Sequence, residues 1–255
     1  MKQHSIQLLF GYHPVREALI AQRRRFDVIY LAHGKGAHRR DDIVDLAGRL
    51  KIEVQWSSAQ QLTSLIGHAY HQDVVAKVSD YPICPLTQIV HPHVSMDTNP
   101  PQWVILLDQV VDPQNLGAIV RTALCAGVNG VVLPKNHSAP PSPAVSKASA
   151  GALEHMAVAY ETNMVTTIKA LKNNGFWVVG ADRDGEQSLF EADLTGPLGI
   201  VIGSEEKGVR PLVKRHCDFT IGIPQTGPVG SLNASAAAAI IIYEALRQRM
   251  AKQGR

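Results

Sequence analysis

The sequence predicts an α/β protein with a small first domain and a larger second domain built on a doubly wound parallel sheet. The chain has 255 residues, of which 45% are hydrophobic and 18% charged, so it can bury a substantial core in one large or two unequal domains. Segments with helical spacing alternate with short strand-like segments along its whole length. A proline-rich stretch, residues 81–102, separates the two halves.

The first eighty residues form the smaller domain. Apolar residues recur there at helical spacing in three segments, and Pro14 fits the first turn of the first helix. Helices are predicted over residues 12–22, 41–50 and 59–65, and strands over 26–32, 52–56 and 74–78. Residues 1–80 therefore predict a compact α/β domain, and residues 81–102 a linker in which 86–90 fits a short helix.

The second domain, residues 103–255, is predicted from strands that carry almost no polar residues. Such strands are typical of a parallel sheet covered by helices on both faces. The predicted strands span residues 103–107, 130–133, 157–159, 177–181, 199–202 and 218–223. The predicted helices span residues 116–126, 143–149, 165–173, 211–216 and 234–250.

Composition narrows the compartment and excludes several classes of protein. No apolar run reaches the roughly 18 residues of a membrane span, and the N-terminus lacks the apolar region of a signal peptide. Cys84, Cys125 and Cys217 are widely spaced and include no CxxC pair, which favours thiols in a reducing cytoplasm over disulfides or zinc. We therefore expect a cytoplasmic protein without a membrane segment or a metal site.

The net charge of +3 comes wholly from the first domain. Residues 1–80 hold 11 Lys/Arg against 8 Asp/Glu, whereas the remainder is balanced at 14 of each. A short basic run is more often a solvated face than a binding site, but phosphate binding uses the same residues. The candidates for RNA phosphate contacts are Arg23, Arg24, Arg25, Lys35, Arg39 and Arg40.

Three segments of the second domain each combine a strand, a polar or glycine-containing turn and the start of a helix. In the first segment, Asn115 stands at a helix start, where it could be an ordinary cap. Arg121 follows as the only charged residue between Asp112 and Lys135. A guanidinium on an otherwise apolar helix needs an anionic partner if it is buried, and a phosphate is one candidate.

The second segment, residues 199–209, leads from a buried strand through Gly203 and Glu205 to Gly208. It lacks the lysine–hydroxyl ending of a Walker loop, and no GxGxxG follows any strand, so the common nucleotide-binding loops are excluded. The third segment, residues 221–244, passes through a glycine- and proline-containing loop to Ser231 and Asn233 before an Ala/Ile-rich helix. Taken alone, it is better explained as a loop, a helix cap and a buried helix.

Together and in this order, the three segments resemble the signature motifs of the SpoU (TrmH) branch of the SPOUT methyltransferases. The resemblance rests on Asn115 with Arg121, Gly203-x-Glu205-x-x-Gly208, and Ile223-Pro-x-x-Gly227 with Ser231-Leu-Asn233, and it covers residues 103 to about 249. Residues 10–19 and 71–76 resemble the ribosomal-protein-like RNA-binding module of the RlmB type. Asp73 and Gln225 depart from residues that are common in the family.

The resemblance implies a methyl transfer from S-adenosyl-L-methionine to the 2′-hydroxyl of a guanosine in 23S rRNA, in the peptidyl-transferase region. It implies a deep trefoil knot in the second domain and a homodimer formed through that domain, with residues 234–250 as an interface element. The implied catalytic residues are Asn115, Arg121, Glu205, Ser231 and Asn233. The implied cofactor-binding residues are Gly180, Ala181, Ile202, Gly203, Ile223 and Leu232.

Three alternatives remain open at this stage. A tRNA ribose could be the substrate, although the complete first domain argues against it. A non-catalytic RNA-binding assembly factor could share the fold, although the intact motif residues argue against that. A metabolite-binding α/β protein would leave Arg121 and the basic excess of the first domain unexplained.

Arg121 could help to deprotonate the 2′-hydroxyl or could hold the target phosphate.

Overall fold

The computed structural model describes residues 6–33, 37–91, 102–228 and 230–254, with the side chains of 37–39 outside the description. The chain forms two compact units. Unit 1 comprises residues 1–82 together with 141–155, and unit 2 comprises 83–140 and 156–255.

Unit 1 is built on a four-stranded sheet of order β1-β4-β2-β3. The strands are β1 (Ile6–Phe10), β2 (Phe26–Ala32), β3 (Val54–Ser57) and β4 (Val74–Ser79), and the helices are α1 (Tyr12–Ala21), α2 (Ala37–Arg49) and α3 (Ala59–Ile66). β2 and β3 run parallel, whereas β4 is antiparallel to both β1 and β2. All the elements predicted for this domain are present, and β1 is an additional strand.

Alternation along the strands explains how the helices cover this sheet. Leu9, Ile29 and Leu31 are fully buried in a core shared with α1 and α2. Val75, on the other face, packs with Leu62 of α3. This division follows from the period of two along a strand, which sends successive side chains to opposite faces.

Residues 141–155, which the sequence places in the second domain, belong to unit 1. They form α6 (Pro143–Ala148) and a 3-10 helix (Ala152–His155). The hydroxyl of Tyr81 donates to the carbonyl oxygen of Leu153 at 2.9 Å, and His155 lies 2.8 Å from a carboxylate oxygen of Glu17. No periodicity in the sequence indicates that residues 141–155 belong to unit 1, because their placement depends on contacts between distant parts of the chain.

Unit 2 is a seven-stranded sheet of order β7-β6-β5-β10-β8-β11-β9 in which every neighbouring pair is parallel. Its strands are β5 (Trp103–Asp108), β6 (Gly130–Pro134), β7 (Val158–Glu161), β8 (Trp177–Ala181), β9 (Gln187–Ser188), β10 (Leu198–Gly203) and β11 (Phe219–Gly222). Its helices are α4 (Leu86–Val90), α5 (Pro113–Cys125), α7 (Met164–Asn173), α8 (Pro211–Lys214) and α9 (Ala234–Lys252).

The α/β fold with a parallel sheet is therefore confirmed, and strands β5 and β10 are buried along their whole length. Part of the predicted linker is core, since Ile89 and Val90 of α4 are buried with Val104 and Leu106. The trefoil knot and the exact domain boundaries stay predictions. Across the described ranges, none of the helices has the length and apolarity needed to cross a bilayer.

Candidate active site

Three polar side chains from distant parts of unit 2 meet at the carboxyl end of the sheet. One oxygen of the Glu205 carboxylate, Oε1, accepts hydrogen bonds from the amide groups of Asn115 and Asn233. The amide of Asn233 also donates to Oδ1 of Asn115 at 3.1 Å. These are three of the five catalytic candidates, and we refer to them as the Asn–Glu–Asn cluster.

Glu205 is carried by a tight loop whose shape explains the glycines around it. Ser204 and Gly208 exchange backbone hydrogen bonds of 3.2 and 2.9 Å. Gly208 has a φ of +62°, which favours glycine. A Cβ on Gly203 would lie only 1.9 Å from the carbonyl carbon of Gly208, so no larger residue fits. The Gly-x-Glu-x-x-Gly spacing is thus required by the backbone of this loop.

An ion pair with a buried carboxylate anchors the far side of the same loop. Asp108, at the end of β5, is fully buried. Its carboxylate accepts bonds from Nε and Nη2 of Arg210 at 2.8 and 2.7 Å and from the Arg210 backbone N–H at 2.9 Å. Neither residue is a candidate from the sequence, although an aspartate directly after an apolar strand is a pattern that could have identified Asp108.

Asn233 uses the two ends of its amide for different purposes. Its Oδ1 accepts the backbone N–H groups of Ser235 at 2.9 Å and Ala236 at 3.2 Å, so it caps α9. Its Nδ2 faces Asn115 and Glu205. The helix-cap interpretation of this residue therefore holds, its functional role stays a prediction, and the helix start fixes the amide that enters the cluster.

Asn115, in contrast, is not a helix cap, and that interpretation is wrong. α5 begins at Pro113, and its cap is Asp112, whose side chain accepts the backbone N–H of Gln114 at 3.0 Å. Asn115 lies inside the first turn with only 8% of its surface exposed. Its side chain is consequently free to serve the cluster.

A cavity of about 450 Å³ lies beside the cluster, at the ends of β8, β10 and β11. Five of the six cofactor-binding candidates line it, namely Ala181, Ile202, Gly203, Ile223 and Leu232. Gly180 is not among its lining residues. Glu205 and Ser231 line this cavity as well, so the structure brings four of the five catalytic candidates to one place.

A second cavity of about 320 Å³ lies on the other side of Glu205. Asn115, Asp112 and His137 line it, and it shares Ser204 to Lys207 with the first cavity. The Asn–Glu–Asn cluster thus stands between two spaces. This arrangement suits a reaction in which two molecules meet at one carboxylate-centred group.

Charges around the first cavity are partly neutralised by an ion pair. Nζ of Lys214 lies 2.5 Å from Oδ2 of Asp182, which follows β8. Burial opposes ionisation of Asp182, but the hydrogen bonds from Lys214 and from the backbone N–H of Asp184 outweigh it, so the pKa of this carboxyl is lowered. The hydrogen bond to Asp182 likewise raises the pKa of Lys214.

Arg121 is not brought to the cluster. It follows Asn115 by six residues, which is about 600° of helix rotation, so the two side chains leave α5 on different faces. Arg121 is exposed, and the expectation that a buried guanidinium needs an anion does not apply to it. Within the described part of the chain, no carboxylate lies within ion-pair distance of it.

The basic residues of unit 1 require a correction. Arg24 and Arg40 are buried. Arg24 forms a bidentate ion pair with Glu154, at 2.7 and 3.1 Å, and Arg40 donates to the carbonyl oxygen of Ala32 at 2.7 Å. Neither guanidinium is exposed to an RNA phosphate, so the predicted phosphate contacts are wrong for these two residues.

The other basic candidates have different surroundings. Arg23 is half-buried against the ring of Tyr81, with Nη1 donating to the Tyr81 hydroxyl at 3.1 Å. Arg25 is exposed and lies 3.2 Å from Asp27. Lys35 and the side chain of Arg39 lie outside the described residues. Within the part of the chain that is described, Arg25 is the most accessible of the predicted contacts.

The parallel sheet, the cavity at its carboxyl ends and the adjoining polar cluster define an α/β protein with a ligand-binding site. Residues 102–243 match the SpoU rRNA Methylase family, and residues 8–84 match the family described as RNA 2′-O ribose methyltransferase substrate binding. The chain belongs to the SpoU rRNA methylase family.

Two of the following relatives match almost the whole of this chain, and the third matches part of it. The 23S rRNA (guanosine-2′-O-)-methyltransferase RlmB of Pseudomonas putida is 36% identical, over 97% of this chain and 99% of the relative. The structure of the SpoU methyltransferase AviRb from Streptomyces viridochromogenes with the cofactor AdoMet is 25% identical with a TM-score of 0.79, over 96% and 91% of the two chains. The A. aeolicus TrmH/SpoU tRNA modifying enzyme is 29% identical with a TM-score of 0.55, over 66% of this chain and 82% of that one.

Proposed function

We propose that the chain transfers a methyl group from S-adenosylmethionine to the 2′-hydroxyl of a guanosine in 23S rRNA, in the peptidyl-transferase region and in the cytoplasm. The observation that carries the proposal is the Asn–Glu–Asn cluster beside the 450 Å³ cavity. Relatives named for this rRNA activity align over almost the whole chain, both units included. A tRNA ribose is the second candidate substrate.

The first cavity fits S-adenosylmethionine in size and in chemistry. Its volume lies within the range of cofactor sites. Ile202, Ile223 and Leu232 provide apolar walls suited to an adenine ring. Side chains of both charges, from Asp182, Arg183, Glu206 and Lys207, suit the zwitterionic amino-acid end of the cofactor. When bound, S-adenosylmethionine supplies an electrophilic methyl group.

The residues around the cavities have distinct proposed roles. The Asn–Glu–Asn cluster orients the ribose between the two cavities, and Ser231 contributes a hydroxyl at the rim of the first. Arg121 binds a phosphate of the RNA electrostatically. A guanidinium stays protonated in proteins, so we propose that Arg121 positions the substrate and that another group or water takes the hydroxyl proton.

We also propose a homodimer formed through unit 2. Ile240, Tyr243 and Met250 of α9 are exposed and lie within one helical stripe, because they are separated by three and seven residues. Exposed apolar residues grouped on one stripe of a surface helix are typical of an interface. Sedimentation equilibrium of the chain and of Tyr243→Asp tests this, with a dimer expected for the former and a weakened dimer for the latter.

Gly203→Ala is expected to weaken S-adenosylmethionine binding at least tenfold. The added methyl group would lie 1.9 Å from the carbonyl carbon of Gly208 and 2.1 Å from the nitrogen of Val209, so the Glu205 loop must move. Equilibrium dialysis with labelled cofactor measures the affinity. The matched control is Gly196→Ala, whose new methyl group meets none of the described atoms within 4 Å. An unchanged affinity in Gly203→Ala would contradict the placement of the cofactor in this cavity.

Tritiated S-adenosylmethionine with unmethylated 23S rRNA or tRNA tests the activity itself. We expect label in 23S rRNA as 2′-O-methylguanosine, reduced about a hundredfold by Arg121→Ala because phosphate positioning is lost. Arg215→Ala, another exposed arginine of unit 2, is the control and should retain activity. Label only in tRNA would support the second substrate, and no label in either RNA would refute the enzymatic proposal.

A further inference from the structure

We infer that one end of the unit 1 sheet is a stacking site for unpaired bases of the RNA. The inference rests on the proposed function and deepens it, because it names the form of RNA that unit 1 recognises: single-stranded or loop nucleotides and not a continuous duplex. Two sets of rings make up the site: the exposed His33 with the exposed Trp56, and the half-buried Phe10 and His68 with the exposed Tyr70.

Strand direction and register place both ring sets at the same end of the sheet. β1, β2 and β3 run in one direction and β4 in the other, so the carboxyl ends of the first three strands lie beside the start of β4. Phe10 pairs with Val75 in this register, and Ala32 pairs with Ser57. The rings therefore come from the carboxyl ends of three strands and from the segment that leads into the fourth, with Trp56 on the face of Leu31 and Phe10 on the face of Val75.

His33 and Trp56 form the first set. Their rings are stacked, with centroids 5.4 Å apart and planes inclined by 21°. His33 is exposed, and Trp56 keeps 50% of its surface exposed at the edge of the sheet. The backbone N–H of His33 donates to the carbonyl oxygen of Ser57 at 3.0 Å, which holds the two segments together. A tryptophan held in this way offers a base a preformed stacking surface.

The second set begins in the sheet and ends in solvent. The ring of His68 packs edge-on against Phe10 at 4.8 Å, and its other neighbour is the ring of Tyr70 at 5.5 Å. The Nδ1 atom of His68 accepts the backbone N–H of Tyr70 at 3.3 Å. Tyr70 is 75% exposed. Phe10 and His68 thus support a tyrosine ring that projects away from the core.

Charged side chains accompany the rings at this end of the sheet. Lys147 donates to the side chain of Gln72, next to the start of β4. Asp73 is the opposing charge, and its carboxylate lies 4.0 Å from Nδ1 of His71. Aromatic rings beside a lysine suit bases and phosphates together.

The need for a free base face also determines which form of RNA this end of the sheet can bind. A base within a duplex stacks on its neighbours and leaves no face for a protein ring, whereas bases in loops and bulges can be splayed onto aromatic side chains. Such a ring can stack on any of the four bases, because each base has a π-face. We therefore expect this end of unit 1 to hold unpaired nucleotides without strong sequence preference.

Affinity measurements with the full chain test the inference. We expect Trp56→Leu and Tyr70→Leu each to weaken binding of a 23S rRNA transcript about tenfold, whereas Trp56→Phe and Tyr70→Phe, which keep a ring, stay within about threefold. Trp177→Leu is the matched control, since Trp177 of unit 2 is 59% exposed and pairs with Phe219. Binding of a single-stranded dodecamer should quench Trp56 fluorescence, and the matching duplex should not.

Each outcome bears on the inference separately from the proposed function. Because the Leu variants leave unit 2 intact, their S-adenosylmethionine affinity and their rate at saturating RNA should equal those of the unchanged chain. Equal RNA affinities in the Leu and control variants would overturn the inference, whether or not the chain methylates RNA. A loss of self-association with unchanged RNA affinity would assign the rings to protein contact and would also overturn it. Absence of methyl transfer by the unchanged chain would refute the proposed function alone.

Discussion

Glu205→Ala is expected to lower the rate of methyl transfer about a hundredfold or more, because misplacing reactants by about 1 Å has effects of this size. Glu205 receives hydrogen bonds from both asparagines of the cluster, so its loss leaves two amide groups without their shared acceptor. The effect should fall on kcat more than on cofactor affinity. Single-turnover transfer of tritium from S-adenosylmethionine to 23S rRNA measures it.

Three further variants make this result specific. Asn233→Ala should give a loss of similar size, and the double variant should add little to it, because residues of one hydrogen-bonded unit are not additive. Glu191→Ala, an exposed glutamate of unit 2, is the control. If Glu205→Ala retained the full transfer rate, the cluster could not be the site at which the ribose is held.

Glu154→Ala is expected to reduce the free energy of unfolding by about 3–5 kcal/mol, because it leaves a buried guanidinium without its carboxylate. The side chains of Arg24 and Glu154 are 0% and 1% exposed, and their closest atoms are 2.7 Å apart. Two neutral acceptors, the side-chain oxygen of Gln7 and the carbonyl oxygen of Ser79, remain for Arg24. They satisfy hydrogen bonds but do not neutralise the charge. Urea denaturation followed by circular dichroism measures the change.

An exposed ion pair nearby provides the comparison. The side chains of Arg25 and Asp27 are 63% and 33% exposed, so Asp27→Ala should change stability by no more than about 1 kcal/mol. The double variant Arg24→Met/Glu154→Leu should recover most of the stability lost in Glu154→Ala, because it removes both charges from the interior. Equal effects of Glu154→Ala and Asp27→Ala would contradict this account of the ion pair.

The sequence predicts the sheet of unit 2 well because its strands are apolar along their whole length, as buried parallel strands must be. The family resemblance implies Asn115, Glu205 and Asn233 as site residues, and all three follow strands whose carboxyl ends lie at one edge of the sheet. β1 escaped prediction, because only five residues, Ile6–Phe10, carry its pattern. The cap at Asp112 was missed because Asn115 offered an equally good capping side chain.

Burial of charged residues was the part that could not be predicted. Arg23, Arg24 and Arg25 are adjacent and chemically identical in the sequence, yet one is half-buried, one is fully buried and one is exposed. The difference arises from Glu154, which lies 130 residues further along the chain. No local pattern encodes such a pairing. The same limit applies to Asp108 and Arg210, which are separated by 102 residues.

Because residues 141–155 complete unit 1, the ribosome synthesises the parts of this unit at well-separated times. Arg24 leaves the ribosome 130 residues before its partner Glu154, which at 5–20 residues per second is a delay on the order of ten seconds. Throughout that interval the nascent N-terminal segment lacks α6 and the 3-10 helix. It must therefore wait in an incomplete state, exposed to chaperones, until more than half of the polypeptide has emerged.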